Sequence, residues 1–70
     1  MITKITIDPK RDTLFHAVLM ELPDLCNFFY CYPNEKVLVC HSDTFSGDDF
    51  LDELRSRRLI TDYIKAEVVK

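Results

Sequence analysis

The chain has 70 residues, a formal net charge of −3, and 47% hydrophobic residues beside 30% charged ones. That length makes one small domain, residues 1–70, which by itself removes only roughly 60% of its unfolded surface from water. The acidic balance argues against a general nucleic-acid binder, which shows a basic face, and no apolar run approaches the ~18 residues of a membrane span. The opening residues, MITKITID, lack a signal peptide's long apolar region, so a cytoplasmic location is the default expectation. Cys26, Cys31 and Cys40 are an odd set that cannot all pair within one chain. They are expected to be reduced, mostly buried thiols that pack like small hydrophobes.

Residues 2–7, ITKITI, alternate and are β-branched, which predicts a strand. Thr3, Ile5 and Ile7 fall on one face of it, and Ile2, Lys4 and Thr6 on the other. Asp8 and Pro9 read as a helix start, with Asp8 as N-cap and Pro9 at the first helical position. Leu14, Phe15, Val18, Leu19 and Leu22 then recur at helical spacing. Pro23 predicts a stop near Glu21 or Leu22, because proline lacks an N–H and disfavours helical geometry in the residue before it.

From Cys26 to His41 the chain reads CNFFYCYPNEKVLVCH, two apolar strands around the turn Pro33-Asn34-Glu35-Lys36. With Asn34-Glu35 at the tip, Tyr32 faces Val37, Cys31 faces Leu38, Tyr30 faces Val39 and Phe29 faces Cys40. One face then carries Phe29, Cys31, Leu38 and Cys40, and the other carries Phe28, Tyr30, Tyr32, Val37, Val39 and His41. A one-residue slip would re-pair the strands, so sequence leaves open which face is covered. Neither face is polar, whereas a sheet with one wet face should alternate apolar with polar.

Ser42 to Ser46 reads as a connection. Ser46 is placed as an N-cap with Asp49 three residues on, and Phe45 and Phe50 are spaced as a hydrophobic staple. Asp48, Asp49, Asp52 and Glu53 crowd the start of this second helix while Arg55, Arg57 and Arg58 crowd its end, the order the helix dipole favours. Phe50, Leu51 and Leu54 form its apolar stripe. Residues 60–69 return to a strand pattern, with Ile64, Ala66 and Val68 on one face and Tyr63, Lys65 and Glu67 on the other.

The order strand, helix, strand, strand, helix, strand resembles the ferredoxin-like split βαβ superfold. The resemblance is topological and covers the whole chain. It implies an α+β domain, a four-stranded antiparallel sheet with two helices on one face, and it licenses no function by itself. It does imply an open sheet face beside Lys4, Thr6, Tyr63 and Lys65, carrying the aromatic set Phe28, Tyr30, Tyr32, Val37, Val39 and His41 or, in the opposite register, Phe29, Cys31, Leu38 and Cys40. Apolar patches of that kind mark contact sites, and tyrosine is enriched at interface cores.

Sites of chemistry are poorly supported. Cys26, Cys31, Cys40 and His41 offer soft ligands, but their spacing lacks the close Cys-x2-Cys knuckle of a zinc site. Strand alternation also sends Cys40 and His41 to opposite faces, which separates a thiol from its would-be base. His16 has no adjacent nucleophile. The acidic run Asp43, Asp48, Asp49, Asp52 and Glu53 lacks the spacing of a calcium loop, and the single glycine, Gly47, makes no phosphate cradle. No cofactor or metal is expected, and no enzymatic activity.

The expected function is a small non-enzymatic protein-interaction module. It would act as a homodimer or as a regulator or inhibitor of a larger protein, a type that phages and mobile elements carry. The open face is one candidate contact surface. The acidic start of the second helix (Asp48, Asp49, Asp52, Glu53) is another, suited to a basic target. The main alternative is a single-stranded RNA or DNA module that stacks bases on Phe28, Tyr30 and Tyr32. The third strand lacks that module's basic-glycine-aromatic signature, and the net charge opposes phosphate contacts. A ligand-binding or catalytic role for His41 or a cysteine is the remaining reading.

Overall fold

β1 (Ile2–Ile7), α1 (Asp12–Leu25), β2 (Phe28–Tyr32), β3 (Val37–His41), α2 (Asp48–Ser56) and β4 (Ile64–Val69) follow one another in the computed structural model, which describes residues 1–69. The strands line up as β2-β3-β1-β4, and each neighbouring pair is antiparallel. β1 and β2 therefore run parallel with β3 laid between them. This is an α+β domain of ferredoxin-like topology.

The alternation of β1 explains its central place. Thr3, Ile5 and Ile7 are all buried, and they sit beside Cys40 and Leu38 of β3 on one side and Val68, Ala66 and Ile64 of β4 on the other. The helices cover that face. Phe15, Val18, Leu22 and Leu25 of α1 and Phe50 and Leu54 of α2 join the sheet residues in a single core. Burying a side chain such as Leu22 or Phe50 stabilises the fold by about 1.5–3 kcal/mol.

The hairpin takes the register expected from its turn, with Tyr32 opposite Val37 and Phe28 opposite His41. Lys36 holds the turn at φ 56°. Its ammonium group donates to the Pro33 carbonyl at 2.9 Å and pairs with the Asp12 carboxylate at 2.9 Å. That pairing holds the Asp12 carboxyl below its ordinary value, chiefly through the hydrogen bond from Lys36.

Four boundaries differ from the sequence reading. First, α1 begins at Asp12 and not at Asp8-Pro9. The Asp8 carboxylate accepts the Lys10 N–H at 3.0 Å, and its carbonyl accepts the Arg11 N–H at 2.9 Å. Asp-Pro serves here as a turn between β1 and α1, a role that draws on the same preferences as capping. Second, α1 runs through Pro23 to Leu25. Leu25 is buried, the Leu22 carbonyl accepts both the Cys26 N–H (3.0 Å) and its thiol (3.2 Å), and Ser42 Oγ donates to the Leu25 carbonyl at 3.2 Å. The burial of Leu25, the Ser42 bond and the local bonds to Leu22 together outweigh the one backbone bond that proline removes.

Third, the N-cap of α2 is Gly47 rather than Ser46, at φ 55° and ψ −125°. Half of the expected reciprocal cap survives, since the Asp49 carboxylate accepts the Ser46 N–H at 3.3 Å. The staple also forms, with the Phe45 and Phe50 rings 6.2 Å apart. Fourth, β4 starts at Ile64, which leaves residues 60–63 as connection and Tyr63 outside the strand.

Candidate interaction face

The sheet face away from the helices is built in three rows, read across β2, β3, β1 and β4 from the strand registers. The first row is Tyr32, Val37, Thr6 and Lys65. The second is Tyr30, Val39, Lys4 and Glu67. The third is Phe28, His41, Ile2 and Val69, with no carboxylate, lysine or arginine. The face thus grades from aromatic at the β2 edge to charged at the β4 edge, where Lys65 and Glu67 lie 3.6 Å apart.

Phe28, Tyr30 and Tyr32 are 50%, 55% and 48% exposed, with Val37, Val39 and His41 half-buried between them and β1. The rings of Phe28, Tyr30 and His41 contact one another. His41 stacks on Phe28 with centroids 4.2 Å apart and planes 17° apart. Tyr30 meets both edge-on, at 6.1 Å from Phe28 and 6.0 Å from His41. Edge-to-face and stacked pairs of this kind add about 0.5–1.5 kcal/mol beyond area burial. The result is a pre-ordered aromatic surface left in water.

Tyr63 stands just before β4, at the border of this face. Its ring lies under the Arg11 guanidinium, 3.8 Å from carbon to centroid, at the end of the sheet where α1 begins. Tyr63 also lines a shallow cleft with Thr6 and Lys65 of the open face, and its carbonyl accepts the Asp8 N–H at 3.0 Å.

The acidic residues of α2 occupy the helix layer, on the opposite side of the sheet. Asp52 pairs with Arg55 at 3.1 Å and Glu53 with Arg57 at 3.2 Å, and Arg57 also reaches Glu21 of α1 at 2.9 Å. Asp49 accepts the Ser46 amide, and Asp48 is exposed. A single flat partner cannot cover this patch and the aromatic face together.

The thiols differ in depth. Cys40 is buried beneath β3, Cys26 is half-buried at the end of α1, and Cys31 is exposed on β2. Burial, with the Cys26 thiol beside it, pushes Cys40 up to about 12, and burial also raises Cys26. Cys40 therefore holds its proton at neutral pH and is no nucleophile. His41 points to the other face, and His16 is exposed on α1, edge-on to Phe15 at 5.9 Å. Among the described residues, no three His, Cys, Asp or Glu side chains converge where a metal could be held.

Sequence reasoning missed the buried polar side chains. Thr3 Oγ1 accepts the Gly47 N–H at 3.0 Å. Ser42 Oγ accepts the Thr44 and Phe45 amides, and Thr61 accepts from Arg55 Nε at 2.8 Å. Among the described residues, no buried side-chain polar atom lacks a partner, and these groups bind loops to the core. Nothing in the local pattern of a Ser or Thr signals such a role.

This geometry defines a small α+β domain with one helix-covered and one aromatic sheet face. Comparison with protein-family models, with curated proteins and with solved structures gives no match. Among the described residues, no helix is long and apolar enough to cross a membrane.

Proposed function

We propose that the protein is a non-enzymatic interaction module that regulates or inhibits a larger protein, docking through the open sheet face or, in its free state, pairing with its own copy there. One observation carries the reading: half-exposed Phe28 and Tyr30 in ordered ring contact with His41, with half-exposed Tyr32 on the same face, on an 8.2 kDa chain. Large amphipathic rings fixed before contact contribute area at low entropic cost, the property that makes tyrosine common at interface centres. The acidic start of α2 is a second patch, suited to a basic target on the other side of the molecule.

Tyr30→Lys tests the face because it leaves the core untouched. Solution mass is measured by light scattering over a range of concentrations, together with partner capture, for wild type and variant. A wild-type dimer that Tyr30→Lys returns to monomer supports self-association. A wild-type monomer whose captured protein is lost in Tyr30→Lys supports a separate target. Identical mass and identical capture for the two proteins overturns the reading. Neutralising Asp48, Asp49, Asp52 and Glu53 without change in binding or its salt dependence removes α2 from it. Single-stranded nucleic acid is the weaker alternative, because the aromatics lie on an edge strand and of the two lysines nearby Lys65 is paired with Glu67. Titration with short oligonucleotides decides that point.

A further inference from the structure

A groove of about 490 Å³ opens between the first turns of α1 and the connection from α2 to β4. Its polar rim is Lys10, Arg11, Asp12, Thr13 and Arg58, and its apolar lining includes Leu14, Ile60 and Tyr63. The charge on that rim is unusual for this chain, which has 12 carboxylate side chains against 9 lysines and arginines. Lys36, Arg55, Arg57 and Lys65 are each paired with a carboxylate. Among the described residues, Lys4, Lys10, Arg11 and Arg58 have no such partner, and three of these four converge on the groove. The one carboxylate that lines the groove, Asp12, is paired with Lys36 at 2.9 Å.

The guanidinium of Arg11 is also held in place. It lies over the Tyr63 ring at 3.8 Å, a contact that fixes its plane while leaving its N–H edge free to donate. Ile60 is 62% exposed on the groove wall, so an apolar body has a surface to cover. The size lies within the range of small-molecule sites, which pair an apolar lining with a few placed polar groups.

From the convergence of three unpaired cations on an apolar groove, we propose that this groove binds a small organic oxyanion, a carboxylate or phosphate monoester carried on an apolar body. The oxyanion takes paired N–H groups from Arg11 and Arg58, with Lys10 adding a point charge, and the apolar body lies on Leu14 and Ile60. This site is on the helix layer and is independent of the open sheet face.

The test is an amide-shift titration of the folded chain with phenyl phosphate and with hexanoate, each up to roughly 10 mM, against benzyl alcohol and inorganic phosphate. Saturable shifts confined to residues 10–14 and 58–63 are expected with one of the two organic anions, and the one that saturates first identifies the oxyanion. Arg11→Gln should weaken binding about tenfold, as loss of a charge-assisted bond does. Arg58→Gly supplies a variant that keeps the fold, because Arg58 sits at φ 66°, where glycine is the less strained residue. It should lose binding while its thermal midpoint holds or rises. No saturable shift, equal shifts from benzyl alcohol, equal affinity for inorganic phosphate, or unchanged affinity in both variants overturns the proposal.

Discussion

Gly47 combines φ 55° and ψ −125° with an amide that donates to buried Thr3, and a Cβ added there would lie 3.2 Å from Val68 Cγ2. Backbone strain and crowding act together, so Gly47→Ala is expected to destabilise the fold by about 1–3 kcal/mol in denaturant unfolding. A change smaller than about 0.5 kcal/mol would show that the loop relaxes freely. Cys40 makes a second prediction at this scale. Its ordinary value is 9.0, and burial raises it to about 12 in the fold. The folded state keeps the proton where the unfolded chain releases it, so this contribution is complete below pH 9.0 and is lost as pH rises toward 12. Cys40→Ala should lower stability at neutral pH and flatten its decline across that alkaline window. An alkaline slope equal to that of wild type would assign the decline to other groups.

Elements differ in how far local chemistry determined them. β1 follows directly from β-branched alternation. The hairpin follows from a proline turn whose length sets the register, down to the pairing of Phe28 with His41. The helix boundaries were less legible. Asp8-Pro9 and Ser46 carry capping residues but are used otherwise, because Asp8 and the Gly47 amide have closer partners in Lys10 and Thr3. The end of α2 is a different case, since no glycine marks it. Arg58 takes the left-handed position, its N–H bonds the Arg55 carbonyl at 2.9 Å, and the Leu59 N–H bonds the Leu54 carbonyl at 3.0 Å. That is the bond pattern of a Schellman cap with arginine where glycine is usual. Hydrogen exchange tests the element hierarchy. β1 is paired on both sides and its inward face is buried, so its amides should exchange slowest, and those of β2, an edge strand, faster. Protection of β2 equal to β1 would mean that something pairs with or covers that edge.

For the whole molecule, the layers separate three surfaces that the linear sequence interleaves. The aromatic face looks away from the helices, the acidic start of α2 lies on the helix layer, and the basic groove sits where α1 begins. A chain of 70 residues has little core to spare, yet this one leaves Phe28, Tyr30 and Tyr32 half in water. On a small domain the hydrophobic effect favours covering such a patch, which is why solution mass and its response to Tyr30→Lys are the informative whole-molecule readouts.

The sequence by itself determined the order of the six elements, the hairpin register and the composition of the two hairpin faces, because alternation, helical spacing and turn chemistry are local properties. Tertiary structure alone decided which face stays open, since that depends on where both helices pack. It also decided that Arg11 packs on the Tyr63 ring, that α1 continues through Pro23 because Leu25 must be buried, and that Arg58 meets Lys10 and Arg11 at one groove. Each of these outcomes is set by contacts between residues far apart in the chain, which no local pattern encodes.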